Sequence, residues 1–112
     1  MIGGDVMQRD FVEDLRERTI KSFMDILALK ELEKESAISS YDLIMLIHKK
    51  FAVLVSSGTV YATVYSLERR GLIEGAKNRR KTVYMLTDKG EKALQDIKKA
   101  KSELQSLMTI VF

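Results

Sequence analysis

The chain has 112 residues, enough for one hydrophobic core and too few for two independent ones. It contains no cysteine and a single histidine, His48, so it can assemble no disulfide, no thiolate metal site and no Cys-His pair, and we assign it no catalytic residues, no metal and no cofactor. No apolar run approaches the roughly 18 residues of a membrane-spanning helix, and Met1-Ile-Gly-Gly-Asp5 leads straight into charged sequence, so we expect a cytoplasmic protein without a membrane partner.

Taken in chain order, the first 35 residues carry nine acids and six bases. From about Val12 to Glu35 they are rich in helix formers, and Ile20, Phe23, Met24 and Leu27 recur at spacings of three and four, which predicts an amphipathic helix. Ser39 and Ser40 are N-cap candidates, and Asp42 places an acid in the first turn of a second helix reaching about Lys50. Phe51 to Val55 form an apolar connector, after which Ser56 or Ser57 can cap a third helix from about Gly58 to Arg70, with Gly71 as its terminating glycine. The period then changes. Leu72-Ile73-Glu74 and Thr82 to Leu86 predict two short strands joined by the polar turn Gly75 to Lys81. Thr87 is an N-cap candidate for a last helix, in which Ala93, Ile97, Ala100, Leu104, Leu107 and Val111 alternate spacings of four and three. The expected class is mainly α with a small β-hairpin, in the order α-α-α-β-β-α.

Two surfaces of this arrangement point to a polyanion. Residues 56–86 hold six bases and two acids, against the acidic excess of the first 35. In the third helix Val60, Val64 and Leu67 share one face, leaving Thr59, Ala62, Thr63, Ser66 and Arg70 on the other. Short polar side chains allow close approach to base edges in a major groove about 12 Å wide, and Ala or Thr can meet a thymine methyl group. Ser57, Gly58 and Thr59 present backbone N–H groups and the positive helix end to a phosphate. Four of the five residues from Lys77 to Lys81 are basic, placing Lys77, Asn78, Arg79, Arg80 and Lys81 at a hairpin tip that can reach phosphates or a minor groove.

Three separated motifs then carry a family resemblance: Ser57-Gly-Thr-Val-Tyr61, Leu67-Glu-Arg-Arg-Gly-Leu-Ile73 and Arg79-Arg-Lys-Thr-Val-Tyr84-Met-Leu-Thr-Asp-Lys-Gly90, with Ser40-Tyr41-Asp42-Leu43 upstream. Over roughly residues 18 to 95 the chain resembles the PadR family of winged helix-turn-helix transcriptional regulators. The resemblance implies that residues 57–70 are the recognition helix, that Lys77 to Lys81 are the wing, and that Tyr61 matches a characteristic tyrosine able to buttress the core or bind a phosphate. Ala62-Thr63 departs from the proline and leucine of many members. The chain also ends after one helix, which matches the small form of the family, whose N- and C-terminal helices form the dimer.

The expected molecule is therefore a single domain, 1–112, with a winged-helix core over about 12–86 and a dimerisation helix over about 87–112. Its partners would be double-stranded DNA and a second copy of itself through Ile97, Ala100, Leu104, Leu107 and Val111. A small hydrophobic effector at the dimer interface stays open. A sequence-specific, nucleoid-associated regulator is the leading reading. The alternatives are a low-specificity architectural DNA binder and a winged-helix module used for protein contacts. The acids serve caps and surfaces, His48 ends a helix, and the six glycines form no phosphate loop, so an enzyme is not expected.

Overall fold

The computed structural model describes residues 10–112, and the expectation for Met1 to Asp5 lies outside them. The elements are α1 (Phe11–Ser22), α2 (Met24–Lys34), β1 (Ile38–Ser39), α3 (Ser40–Phe51), α4 (Ser57–Arg69), β2 (Ile73–Asn78), β3 (Lys81–Leu86), α5 (Asp88–Lys99) and α6 (Lys101–Val111). The expected order is present with three additions. The first helix is divided at Phe23, which leaves helical geometry at φ −109° and ψ 19°. The last is divided at Ala100, at φ −89° and ψ 1°. Strand β1, absent from the sequence reading, pairs antiparallel with β3, Ile38 opposite Tyr84 and Ser39 opposite Val83, so the hairpin becomes a three-stranded sheet in the order β1-β3-β2.

Helices α3, α4 and α5 each have a side-chain cap. The Asp42 amide donates to Ser39 Oγ at 3.1 Å while Asp42 Oδ2 accepts from the Ser39 amide at 3.2 Å, a reciprocal capping box at the start of α3. Between the two serines offered for α4, Ser56 is the cap, accepting from the Thr59 amide at 3.1 Å. Thr87 caps α5, accepting from the Gly90 amide at 3.1 Å.

The core is built around α2, whose Met24, Ala28, Leu29 and Leu32 are buried against Val60, Val64 and Leu67 of α4, Ile38 of β1 and Leu94 of α5. Leu43 and Ile47 of α3 and Val53 and Val55 of the connector complete it, so the connector is core while its Leu54 faces outward. Two ion pairs join α2 to its neighbours, Lys50 to Glu31 and Lys98 to Glu33, each at 2.8 Å. Helix α1 adds Ile20 to this core whereas α6 buries no residue, and α1 and α6 each pack chiefly on the helix beside them. The radius of gyration is 16.3 Å, where a compact chain of this length has about 13 Å.

The end of α4 is closed by paired backbone bonds, Leu72 amide to Leu67 carbonyl at 3.0 Å and Gly71 amide to Glu68 carbonyl at 2.9 Å, with Gly71 left-handed at φ +78°. That turn lies directly on the first turn of α5. Thr87 Oγ1 donates to the Gly71 carbonyl at 2.6 Å, the Thr87 amide to the Leu72 carbonyl at 3.2 Å, and Lys89 Nζ to the Arg70 carbonyl at 2.8 Å. A Cβ on Gly90 would collide with the Leu72 carbonyl oxygen and lie 2.9 Å from Leu86 Cδ2. The obstacle is backbone and cannot swing away. Gly90→Ala should therefore destabilise the fold by about 1–3 kcal/mol, read as a loss of roughly 5–15 °C in melting temperature. An unchanged melting curve would show that the two segments are not in this contact.

Candidate nucleic-acid interface

Helix α4 turns Val60, Val64 and Leu67 fully into the core, as the spacing requires. Its outer face exposes Ser57, Gly58 and Ala62, while Thr59, Thr63 and Ser66 are half-buried along its edges. The threonine hydroxyls are engaged within the helix. Thr63 Oγ1 donates to the Thr59 carbonyl at 3.0 Å, and Thr59 Oγ1 shares a 2.8 Å hydrogen bond with Ser56 Oγ. Arg70 follows the helix as its C-cap, and its guanidinium lies 3.9 Å from the Asp25 carboxylate. The corner between α1 and α2 thus forms one wall of a shallow groove along the outer face, which Lys21, Asp25, Ala62, Thr63, Ser66 and Arg70 line.

Two residues of this face were absent from the sequence reading. Tyr65 is exposed, and the Arg69 guanidinium sits over its ring at 5.3 Å. The signal was available, because Tyr61, Tyr65 and Arg69 are spaced by four and must share one row of the helix. Tyr61 itself is 55% exposed.

The wing is shorter and stiffer than the turn expected from Gly75 to Lys81. Strands β2 and β3 pair from Ile73–Leu86 to Asn78–Lys81, leaving Arg79 and Arg80 as a two-residue turn. Lys77, Asn78 and Lys81 therefore belong to the strands, and only the two arginines form the tip. The difference arises because polar residues on a solvated two-stranded ribbon give no alternating apolar signal. Arg79 adopts φ +60°, the left-handed region that tight hairpin turns demand and that Gly or Asn usually supplies. An arginine there costs about 1–2 kcal/mol, so the tip carries a cation where a less strained residue would serve the turn. All five wing residues are exposed, and among the described residues no carboxylate forms an ion pair with Lys77, Arg79, Arg80 or Lys81.

Because β1 pairs with β3, the start of α3 stands beside the wing. A cleft opens between them, with Tyr41 and Tyr61 on one side and Lys77, Arg80 and Lys81 on the other. Tyr84 lines it as well. Burial first, and then the negative charge of Glu68, hold the Tyr84 phenol above its ordinary value, so it stays a neutral hydrogen-bonding group at physiological pH. Asp42 is held below the ordinary carboxylate range by the Ser39 backbone amide, then the Ser39 hydroxyl, with the charge of Lys81 adding to them.

The seam named for self-association is divided by the corner at Ala100. Ile97 and Ala100 are half-buried, Ile97 against its own core, whereas Leu104 and Leu107 are 43% and 51% exposed and Val111 is exposed with Ile110 and Phe112, which the sequence reading left out. His48 is exposed in the last turn of α3. Among the described residues no cluster of three or more His, Asp or Glu could hold a metal, and no helix is long and apolar enough to cross a membrane.

A helical core whose α3–α4 pair is followed by an antiparallel two-stranded wing defines the winged helix-turn-helix class. The sequence profile described as the transcriptional regulator PadR-like family matches residues 28–96. Similar solved structures include a transcriptional regulator of Thermoplasma acidophilum, 26% identical with a TM-score of 0.68 over 86% of this chain and 94% of that one. A PadR family transcription regulator of Clostridium difficile is 22% identical with a TM-score of 0.69, over 80% of this chain and 97% of that one. A PadR-like transcriptional regulator of Bacillus cereus is 22% identical with a TM-score of 0.70, over 84% and 95%. No curated protein matches in sequence. The chain belongs to the PadR-like family of transcriptional regulators.

The capping box that seats α3 beside the wing has a pH signature. Since the folded state lowers the Asp42 pKa, its contribution to stability is present above the ordinary value of 3.8 and is lost as pH falls through the lowered folded value. Asp42→Asn should therefore be destabilising in denaturant titrations at pH 7, with the gap from the unmodified protein closing below about pH 4. A gap that persists undiminished at pH 3 would remove the carboxylate from this role.

Proposed function

We propose that the protein is a sequence-specific regulator that binds double-stranded DNA as a homodimer, in the cytoplasm and on the nucleoid, without catalysing a reaction. Helix α4 enters the major groove with Ser57, Gly58, Thr59, Ala62, Thr63 and Ser66 toward the bases, and Lys77, Arg79, Arg80 and Lys81 engage phosphates or the minor groove beside it. The observation that carries this reading is the juxtaposition of two surfaces. A helix face on which Ser57, Gly58, Ala62 and the Tyr65–Arg69 pair are exposed lies next to a two-stranded ribbon whose four cations form no ion pair among the described residues. Unpaired cations at a strained tip are costly to concentrate and are balanced by a polyanion.

The terminal helices support dimerisation. Helix α6 has 11 residues and buries no side chain. Its Leu104, Leu107, Ile110, Val111 and Phe112, together with Phe11 and Val12 of α1, give apolar surface that a second copy would cover. One domain then consists of a winged-helix unit and terminal helices that serve its partner.

The test is a fluorescence-anisotropy titration against a random-sequence duplex pool and a duplex selected from it, at several salt concentrations. A preference of about a thousandfold or more with a steep salt slope is expected. Arg80→Ala should weaken binding to all sequences alike and make the salt slope shallower by about one, whereas Thr63→Lys should change which duplex is selected. Uniform effects from both substitutions would leave an architectural binder, and no binding at low salt would leave a protein-interaction module. In sedimentation, Leu104→Lys with Leu107→Lys should yield monomers that keep their helical content; a persistent dimer would move the interface elsewhere.

A further inference from the structure

Helix α4 carries a single carboxylate, Glu68 in its last turn, and residues 56–86 hold only one other, Glu74. A negative charge beside a surface that meets a polyanion lowers affinity, so attraction to the ligand does not account for it. Arg69 and Arg70 follow it directly, yet Glu68 forms no ion pair among the described residues. Its Oε2 instead accepts from the Gly75 amide at 3.2 Å, a hydrogen bond strengthened by the charge of the acceptor. Burial and then the charge of Glu68 raise the Tyr84 pKa, so the carboxylate also stands close to that ring.

Gly75 stands on the open edge of the sheet, since in the order β1-β3-β2 strand β2 has a neighbour on one side alone. Facing residues of an antiparallel pair alternate between exchanging both hydrogen bonds and directing them away. With Asn78 and Lys81 closing the turn, Gly75 falls at a position that directs its N–H outward. Such an edge amide is ordinarily left to water or to another chain; here the last turn of α4 takes it. The opposite side of the same row is held as well, because Gly75 faces Tyr84 and Tyr84 faces Ile38 of β1. Strand β1 and helix α4 therefore clamp the root of the wing at one level, and the ribbon from Lys77 to Thr82 projects beyond the clamp. The close approach requires glycine. A Cβ on Gly75 would lie 2.9 Å from Glu68 Oε2, 3.0 Å from Tyr84 Cε1 and 3.1 Å from Thr82 Cγ2. Among the described glycines only Gly71 is left-handed, so what position 75 needs is room rather than conformational freedom.

We propose that Glu68 is a positioning residue, which by bonding the Gly75 amide sets the angle at which the wing leaves α4 and so contributes to sequence preference without touching a nucleotide. The assignment rests on the reading of α4 as the recognition helix and of the ribbon as the wing. A wing free to swing can find phosphates on any duplex. A wing held at one angle rewards only those duplexes whose shape brings the helix and the wing into contact at once, and it loses less freedom on binding them. Glu68 thus trades some attraction to the polyanion for a fixed relation between two contacts.

The experiment pairs amide hydrogen exchange with binding, both on the full chain. The Gly75 amide should be protected in the unmodified protein and in Glu68→Gln, whose side-chain oxygen keeps the acceptor, and should exchange faster in Glu68→Ala. In anisotropy titrations Glu68→Ala should bind a duplex selected by the unmodified protein about tenfold more weakly and the random-sequence pool as before, so the loss falls on preference. Glu68→Gln should keep the preference and, without the negative charge, bind both at least as tightly. Gly75→Ala, whose methyl takes the place of the carboxylate, should reproduce the Glu68→Ala pattern. A merely stabilising contact would instead lower the melting temperature and weaken binding to both alike, and that result overturns the proposal. So does a Gly75 amide equally protected in Glu68→Ala, or a Glu68→Gln variant that fails as the alanine does, which would assign the effect to charge. If Thr63→Lys still changes the selected duplex while Glu68→Ala keeps the original preference, the recognition-helix reading survives and the role of Glu68 falls. If the unmodified protein prefers no duplex, both fall.

Discussion

The geometry of α4 and the wing depends on one backbone crossing, in which the turn after α4 lies against the first turn of α5. Helix α4 ends in consecutive carbonyls from Arg70 to Leu72 that an ordinary helix terminus would leave to water. Here Lys89 and Thr87 take all three, the hydroxyl and amide of Thr87 accounting for two of them. Gly71 supplies the left-handed turn and Gly90 the missing side chain that lets the segments touch. Because the residue after this turn is already the start of β2, one contact fixes α4, the root of the wing and α5 together. A further tie runs from the Gly75 amide to Glu68 Oε2 at 3.2 Å, joining the last turn of α4 to the wing strand.

Given that rigid frame, the chemistry of the surface is a matter of which polar groups are already used. The hydroxyls of Ser39, Ser56, Thr59, Thr63 and Thr87 are committed to caps or helix carbonyls. What these leave outward on α4 is the Ala62 methyl, the backbone at Gly58 and the rings of Tyr61 and Tyr65. Both arginines at its end are also engaged, Arg69 over the Tyr65 ring and Arg70 beside Asp25. The wing differs in kind, since its cations have no protein partner among the described residues and its first tip residue is held in a strained backbone state. Strain at a charged tip, where a small residue would suit the turn, is what a site selected for its side chain looks like.

Much of this was legible before any coordinates. The period of Val60, Val64 and Leu67, the terminating Gly71 and the capping Thr87 each have a local physical cause, and each appears where the sequence places it. The parts that were not legible lack a local cause. A two-residue strand such as Ile38–Ser39 is too short to show a period and exists only because β3 is beside it. The corners at Phe23 and Ala100 carry no glycine or proline, and a change of helix axis over one residue leaves a spacing of three and four almost intact. The cleft was invisible for the same reason, since Tyr41, Tyr61 and Lys81 meet only through the β1–β3 pairing.

The corner at Ala100 bears on how two copies would read one site. Helix α5 is bound to the turn after α4 through the Thr87 crossing and to α2 through Lys98 and Glu33, so it belongs with the winged-helix unit. Helix α6 has no comparable tie and carries the exposed apolar residues. The Ala100 amide is shared between the Asp96 and Ile97 carbonyls, each at 3.1 Å, and Leu104 donates to the Ala100 carbonyl at 2.9 Å, so the chain bends without losing its backbone bonds. No side-chain cap marks this corner. In a dimer held by α6, the separation of the two recognition helices is then a property of this angle rather than of the winged-helix unit. Two half-sites one helical turn apart, about 34 Å, demand one value of it, and whatever restrains the corner in the dimer restrains the operator spacing with it.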